Sequence, residues 1–255
     1  MDGLAIASGF GIGAIVGITG VGGGSLMTPL LISVFKLHPA LAIGTALTCA
    51  AITKTGGALA HIRYGHVERR IVALLLAGSL PASLLMIALM HFTGITKGWA
   101  GTLSFSLGIA LLLTALVLAF RRAWQRLGLQ LERWLPAAHK PALTVVAGAL
   151  LGVLVTLSSI GAGALGATLI LLLYPRLGAH RVVGSDIAHA VPLTLVAGIG
   201  HATLGHVDWS LLGHLLMGSL PGIWLGAHLT KTLPEPWVRA LLCGALVYAG
   251  LRVVH

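Results

Sequence analysis

Two glycine-rich runs interrupt otherwise apolar sequence: Gly20-Val21-Gly22-Gly23-Gly24-Ser25 and Ser158-Ser159-Ile160-Gly161-Ala162-Gly163. Glycine lets a backbone leave helical geometry, and a helix that restarts afterwards presents N–H groups lacking intrahelical partners at the positive end of its dipole. Such an end is suited to an anion. Gly22, Gly23, Gly24, Gly161 and Gly163 are therefore candidate substrate-binding positions, with Ser25, Ser158 and Ser159 as adjacent hydroxyl donors. The same runs also suit a packing bend, and it is their recurrence at matched places that favours binding. Neither run is followed by Lys-Ser or Lys-Thr, so a nucleotide phosphate loop is not indicated.

Ionisable residues inside long apolar segments form the second group. Lys54 and Asp186 would each be costly in hydrocarbon unless paired or facing a cavity. Lys54 can attract an anion, while Asp186 or His189 can accept a proton during coupling; a plain ion pair joining two parts of the chain is the competing reading. Thr45, Thr48 and Ser185 lie near them in sequence and can donate hydrogen bonds, although such hydroxyls also satisfy helix backbone. His61 and His66, like His201 and His206, are five residues apart rather than the four that place two ligands on one helix face, so hydrogen bonding at helix ends is expected and no metal or other cofactor. With six acids in the chain and no nucleophile matched to a base, an enzyme is not expected.

The elements that position these residues follow from composition. The chain has 255 residues, 57% hydrophobic and 9% charged, with mean hydropathy +0.98. A soluble domain carries roughly 25% charged residues. The segments 71–90 and 102–120 hold no acid or base and are long enough to cross about 30 Å of hydrocarbon. These features indicate an all-α integral membrane protein that contacts lipid. The formal charge of +10 does not point to nucleic acid, because Arg121, Arg122, Arg126, Arg133 and Lys140 cluster in one polar connection, as the positive-inside rule predicts for a cytoplasmic loop.

An internal repeat organises the rest. At an offset of 140 residues Gly65-His66-Val67 matches Gly205-His206-Val207, and Gly78-Ser79-Leu80-Pro81 matches Gly218-Ser219-Leu220-Pro221. Gly44 pairs with Gly184 and His61 with His201, and the glycine runs overlay with one residue of slip. The expected organisation is a first repeat over 1–120, with a broken hairpin at 3–35 and spans at 40–62, 70–91 and 99–120. A basic linker at 121–141 follows. The second repeat, 142–255, has its broken hairpin at 142–174 and spans at 182–204, 209–231 and 236–254. Each broken stretch either crosses once, giving parallel repeats, or dips in and returns, giving inverted ones. If it returns, only Lys36, Lys97 and Arg252 fall outside, Lys54 being within the membrane; this distribution favours two homologous, inverted halves. Rows of glycine every fourth residue, Gly9-Gly13-Gly17 and Gly218-Gly222-Gly226, predict close helix approach.

The run Val21-Gly22-Gly23-Gly24-Ser25 with Pro29-Leu30, then Gly44-Thr45-Ala46-Leu47 and Gly65-His66-Val67, resembles the TauE/SafE family of sulfite and sulfonate exporters. The second-half run 183–198 with Gly205-His206-Val207-Asp208 is similar to the same family, although the second break reads Gly-Ala-Gly rather than a full glycine run. The resemblance covers nearly the whole chain. It implies a multi-pass inner-membrane secondary transporter that moves small sulfur-containing anions, sulfite or organosulfonates, with proton coupling. Alternating access between the halves is the expected mechanism. An anion channel and a non-transporting subunit of a membrane complex are the alternatives, and the oligomeric state is left open.

Overall fold

The computed structural model describes residues 2–19, 24–93, 100–229 and 235–254. Most of them are helical, with no strand among them. In the first half α1 (Asp2–Thr19), α2 (Gly24–Ser33), α3 (Pro39–Arg63), α4 (Arg69–Thr93) and α5 (Ala100–Ala119) follow one another. After α6 (Arg121–Trp134) and a 3-10 turn at Ala137–His139 come α7 (Lys140–Ser158), α8 (Ala164–Leu173), α9 (Ala179–Thr203), α10 (Trp209–Leu229) and α11 (Glu235–Val254). Four described helical stretches are long and apolar enough to cross a membrane on their own: Arg69–Thr93, Ala137–Ser158, Ala179–Thr203 and Trp209–His228. Helix α3 is also 25 residues long, but Lys54, His61 and Arg63 reduce its apolarity.

Helix pairs are exchanged along the chain. Helix α1 packs on α10, α7 on α4, α3 on α9, and α5 on α11. Lipid is as apolar as leucine, so helices in it are held by dispersion at close approach, which small residues permit. A Cβ at Gly9 or Gly13 would strike the backbone of Leu215 or Ser219, and one at Gly218, Gly222 or Gly226 would strike Ile6, Phe10 or Ala14. The two expected glycine rows thus face each other. On the matching side a Cβ at Gly148 or Gly152 would meet the backbone of Leu75 or Ser79. Gly44 lies against the His206 carbonyl and Gly184 against that of His66, so the same approach occurs twice.

The 121–141 connection differs from the plain polar linker expected, because it contains the 14-residue helix α6. Its apolar residues Trp124, Leu127, Leu131 and Trp134 recur at helical spacing, with Arg126, Gln130 and Arg133 on the other face. Gly128 lets α6 approach the Leu171 and Leu172 backbone at the end of α8.

The end of α8 returns to the start of α7. Tyr174, the residue after α8, has its hydroxyl 2.9 Å from that of Thr144 near the start of α7. Glu132 of α6 accepts a hydrogen bond from Lys140 at 2.9 Å and pairs with Arg176 at 3.0 Å. The Lys140 bond, aided by its charge and that of Arg176, holds the Glu132 carboxyl below the ordinary carboxylate range. The bridge therefore persists at neutral pH and is lost only as pH falls through that lowered value. Helices α7 and α8 form a hairpin bent at 159–163.

Close packing makes a direct test available. Gly13→Val or Gly152→Val should destabilise the fold by about 1–3 kcal/mol through overpacking. Gly11→Ala, at a position with nothing within 4 Å, should be neutral or slightly stabilising. Thermal melts in detergent compare the three, and equal melting temperatures would rule out backbone contact at these rows.

Candidate functional site

The second break is built from backbone that a helix cannot accommodate. Helix α7 ends as the Ser159 N–H donates to the Val155 carbonyl at 2.7 Å, with Ser159 left-handed at φ 61°. Gly161 and Gly163 follow at φ 119° and 145°, where a side chain would be strained. The chain regains helical bonding as Gly166 N–H reaches Gly161 O at 2.9 Å and Ala167 N–H reaches Gly163 O at 3.0 Å. Gly163, at the cap of α8, has no side-chain cap.

Side chains from two other helices hold this break. Lys54 of α3 donates from Nζ to the Ala162 carbonyl at 2.5 Å. Asp186 of α9 accepts from the Gly163 N–H and lies so close to Gly166 that a Cβ there would collide with Oδ1. The Lys54 and Asp186 charges act on each other. One turn further along α9, His189 places Nε2 2.9 Å from the Ser79 hydroxyl of α4. The expected charged residues Lys54, Asp186 and His189 thus converge on the break that holds Ser158, Ser159, Gly161 and Gly163.

Asp186 alters one expectation. The N–H of the cap residue Gly163, just ahead of α8, was expected to be free for a solute, but it already faces an internal carboxylate. Three buried polar atoms nearby have no hydrogen-bond partner in the protein: Ser159 Oγ, Asp186 Oδ1 and His189 Nδ1, in residues 4%, 3% and 0% exposed. Buried polar atoms are nearly always paired, so three without partners around one break mark a place able to bind a polar solute.

Other candidate residues are engaged elsewhere. Thr45 Oγ1 accepts from the Asp208 N–H at 3.0 Å, and Ser185 Oγ accepts from the Glu68 N–H at 2.9 Å. These matched hydroxyls receive backbone N–H groups just ahead of α10 and α4. Thr48 donates to the Gly44 carbonyl at 2.9 Å along its own helix. Ser158 donates to the Leu154 carbonyl at 2.6 Å and accepts from the Ile160 N–H at 3.2 Å. In the first half, Gly22 and Gly23 lie outside the described residues, Gly24 begins α2, and Ser25 is buried.

Ser79 was not singled out as a site residue from sequence, although it belongs to the repeated Gly-Ser-Leu-Pro motif. Its counterpart Ser219 lines a small space of about 10 Å³ with Met27, Ala46, Cys49 and Thr53. There Ala46 occupies the position equivalent to Asp186, Cys49 that of His189, and Thr194 that of Lys54. The scaffold occurs twice but this charged set occurs once.

Comparison with known proteins agrees with the helical, apolar architecture. The model of the sulfite exporter TauE/SafE family matches residues 5–253. Probable membrane transporter protein YjnA of Bacillus subtilis (strain 168) is 39% identical over 209 residues, 81% of this chain and 81% of its own length. Probable membrane transporter protein YdhB of the same organism is 27% identical over 203 residues, 80% of each chain. Probable membrane transporter protein YunE, also from that organism, is 36% identical over 66 residues, 26% of this chain and 23% of its own. No solved structure matches. With the match running from residue 5 to residue 253 and a relative at 39% identity, the chain belongs to the TauE/SafE family of multi-pass membrane transporters.

Proposed function

We propose that this protein is a secondary transporter of small sulfur-containing anions, sulfite or organosulfonates, across the inner membrane by proton-coupled alternating access. The observation that carries the site is the set of unpartnered buried atoms, Ser159 Oγ, Asp186 Oδ1 and His189 Nδ1, around a helix break held by Lys54. The family name supports the sulfur chemistry; the geometry supports an anion.

In this reading Asp186 is an internal stand-in for the solute. Its carboxylate takes the Gly163 N–H and shares the field of Lys54, the two groups an arriving anion would use. Two negative groups cannot comfortably share that position, so entry of the anion is linked to protonation of Asp186. His189, bonded to Ser79, is positioned to pass that proton along α9. Ser159 donates to the bound anion. Gly161 supplies the left-handed turn, and Gly22, Gly23, Gly24 and Ser25 are the substrate-binding counterparts in the first half. Thr45, Thr48, Ser158 and Ser185 hold the surrounding backbone and are secondary donors.

The return of α8 to the start of α7 supports inverted halves, because a stretch that dips and returns leaves three crossings per half. Rocking of one half against the other then exposes the site alternately. Cysteines at positions 97 and 231 should be labelled from opposite sides of the membrane; labelling of both from one side excludes the inverted arrangement.

Transport into proteoliposomes under a sulfite gradient tests the site. Lys54→Gln should weaken apparent affinity by at least about tenfold, since it removes the positive charge beside the break. Asp186→Asn, which mimics the protonated state, should retain anion exchange and lose stimulation by a pH gradient. Gly163→Leu should abolish transport while the protein still inserts. Wild-type flux in both Lys54→Gln and Gly163→Leu would sink the proposed site.

A further inference from the structure

We propose that the cleft between α5, α6, α7 and α8 binds an acyl chain of an anionic phospholipid, and that this lipid braces the second helix break. The cleft has a volume of about 410 Å³, and its walls are apolar except for Thr168, itself buried, and the indole of Trp124. A small anion has nothing to bind along such walls, whereas an alkyl chain matches them.

Two observations place the lipid headgroup at the α6 end. The indole N–H of Trp124 is buried and has no partner in the protein. A buried indole donor needs an acceptor, and Trp124 lines the cleft, where a lipid ester or phosphate oxygen can accept its hydrogen. Helix α6 also keeps Leu127, Leu131 and Trp134 exposed on one face, with Trp134 87% exposed, as expected of a helix lying on the bilayer surface. Arg126 and Arg133, seven residues apart and therefore close to one face, are both exposed on the other. Basic residues on the water-facing side of a helix that lies on the bilayer surface favour a negatively charged headgroup beside it.

The cleft and the break share side chains. Leu154 and Leu165 line the cleft, and their methyl carbons lie 3.4 and 3.6 Å from where a Cβ of Gly161 would stand. A chain filling the cleft limits how far these leucines can withdraw and so stiffens the turn at 159–163. Lipid binding itself does not depend on the identity of the transported solute, so its test can fail independently of the transport reading.

The test uses the full chain, delipidated in detergent, with dioleoyl phosphatidylglycerol or dioleoyl phosphatidylcholine added, read by native mass spectrometry and thermal melting. Phosphatidylglycerol should bind about tenfold more tightly than phosphatidylcholine and raise the melting temperature by several degrees. Leu169→Trp, which fills the cleft, should abolish both effects; Val153→Trp at the rim serves if the first variant does not fold. Arg126→Gln combined with Arg133→Gln should keep lipid binding but remove the preference between headgroups, and Trp124→Phe should weaken binding of both lipids. Equal binding of the two lipids to the unaltered protein, or undiminished binding to the filled variant, overturns the proposal. Conversion of an oligomer to a monomer on filling the cleft would assign it to a second copy of the chain and also overturns it.

Discussion

An interrupted helix inside a membrane must find partners for the backbone groups that the interruption frees, since no bulk water is there to take them. At 159–163 this requirement is met by two charged side chains from different helices: Lys54 takes the Ala162 carbonyl and Asp186 takes the Gly163 N–H. The break, the two charged side chains that hold it and the contact between α3 and α9 are consequently one structural unit. Anything that alters the charge of Asp186 changes the satisfaction of the backbone as well as the local field. That coupling is what makes the place suitable for a switch rather than a rigid joint.

Around this unit the fold is held largely by close backbone approach. Glycines in α1 meet α10, and those in α7 meet α4, so each half contributes a helix to a pair completed by the other. Short side chains bring helix axes together where apolar burial gives little drive, and dispersion then grows with the number of atoms in contact. Paired capping contacts, Thr45 on Asp208 and Ser185 on Glu68, fix the chain ahead of α10 and α4 in the same way. On this repeated scaffold the chemistry is unequal. Lys54, Asp186 and His189 serve one break, and Thr194, Ala46 and Cys49 stand at the matching positions of the other.

Helix α6 shows how a charged connection can be structural in a membrane protein. Glu132 ties it to Lys140 at the start of α7 and to Arg176 after α8. Gly128 brings it onto the end of α8. The bend in the hairpin is therefore fixed at its base by the Glu132 contacts and at its tip by Lys54 and Asp186. Between the two, α8 packs through apolar side chains.

Much of this was legible in the sequence, because membrane crossing and helix breaking are local properties. Twenty residues in a row without an acid or base, glycine runs and a 140-residue repeat need no knowledge of the fold to be read, and the rows of small residues announce close packing. Lys54, Asp186 and His189 stood out for a similarly local reason, the energetic penalty of charge in an apolar segment. Which of them meet was decided only by the tertiary structure: Lys54 reaches a carbonyl 108 residues away, and Ser79 meets His189 across 110. Thr45 and Ser185 were read as solute donors in sequence because a hydroxyl does not reveal its partner; the fold adds a backbone amide that each accepts from. The amphipathic α6 was hidden by its charge, since arginines signal a loop until the apolar residues between them are seen on one face. Helical periodicity is written along the chain, but partners brought together by folding depend on distances that only the packed helices define.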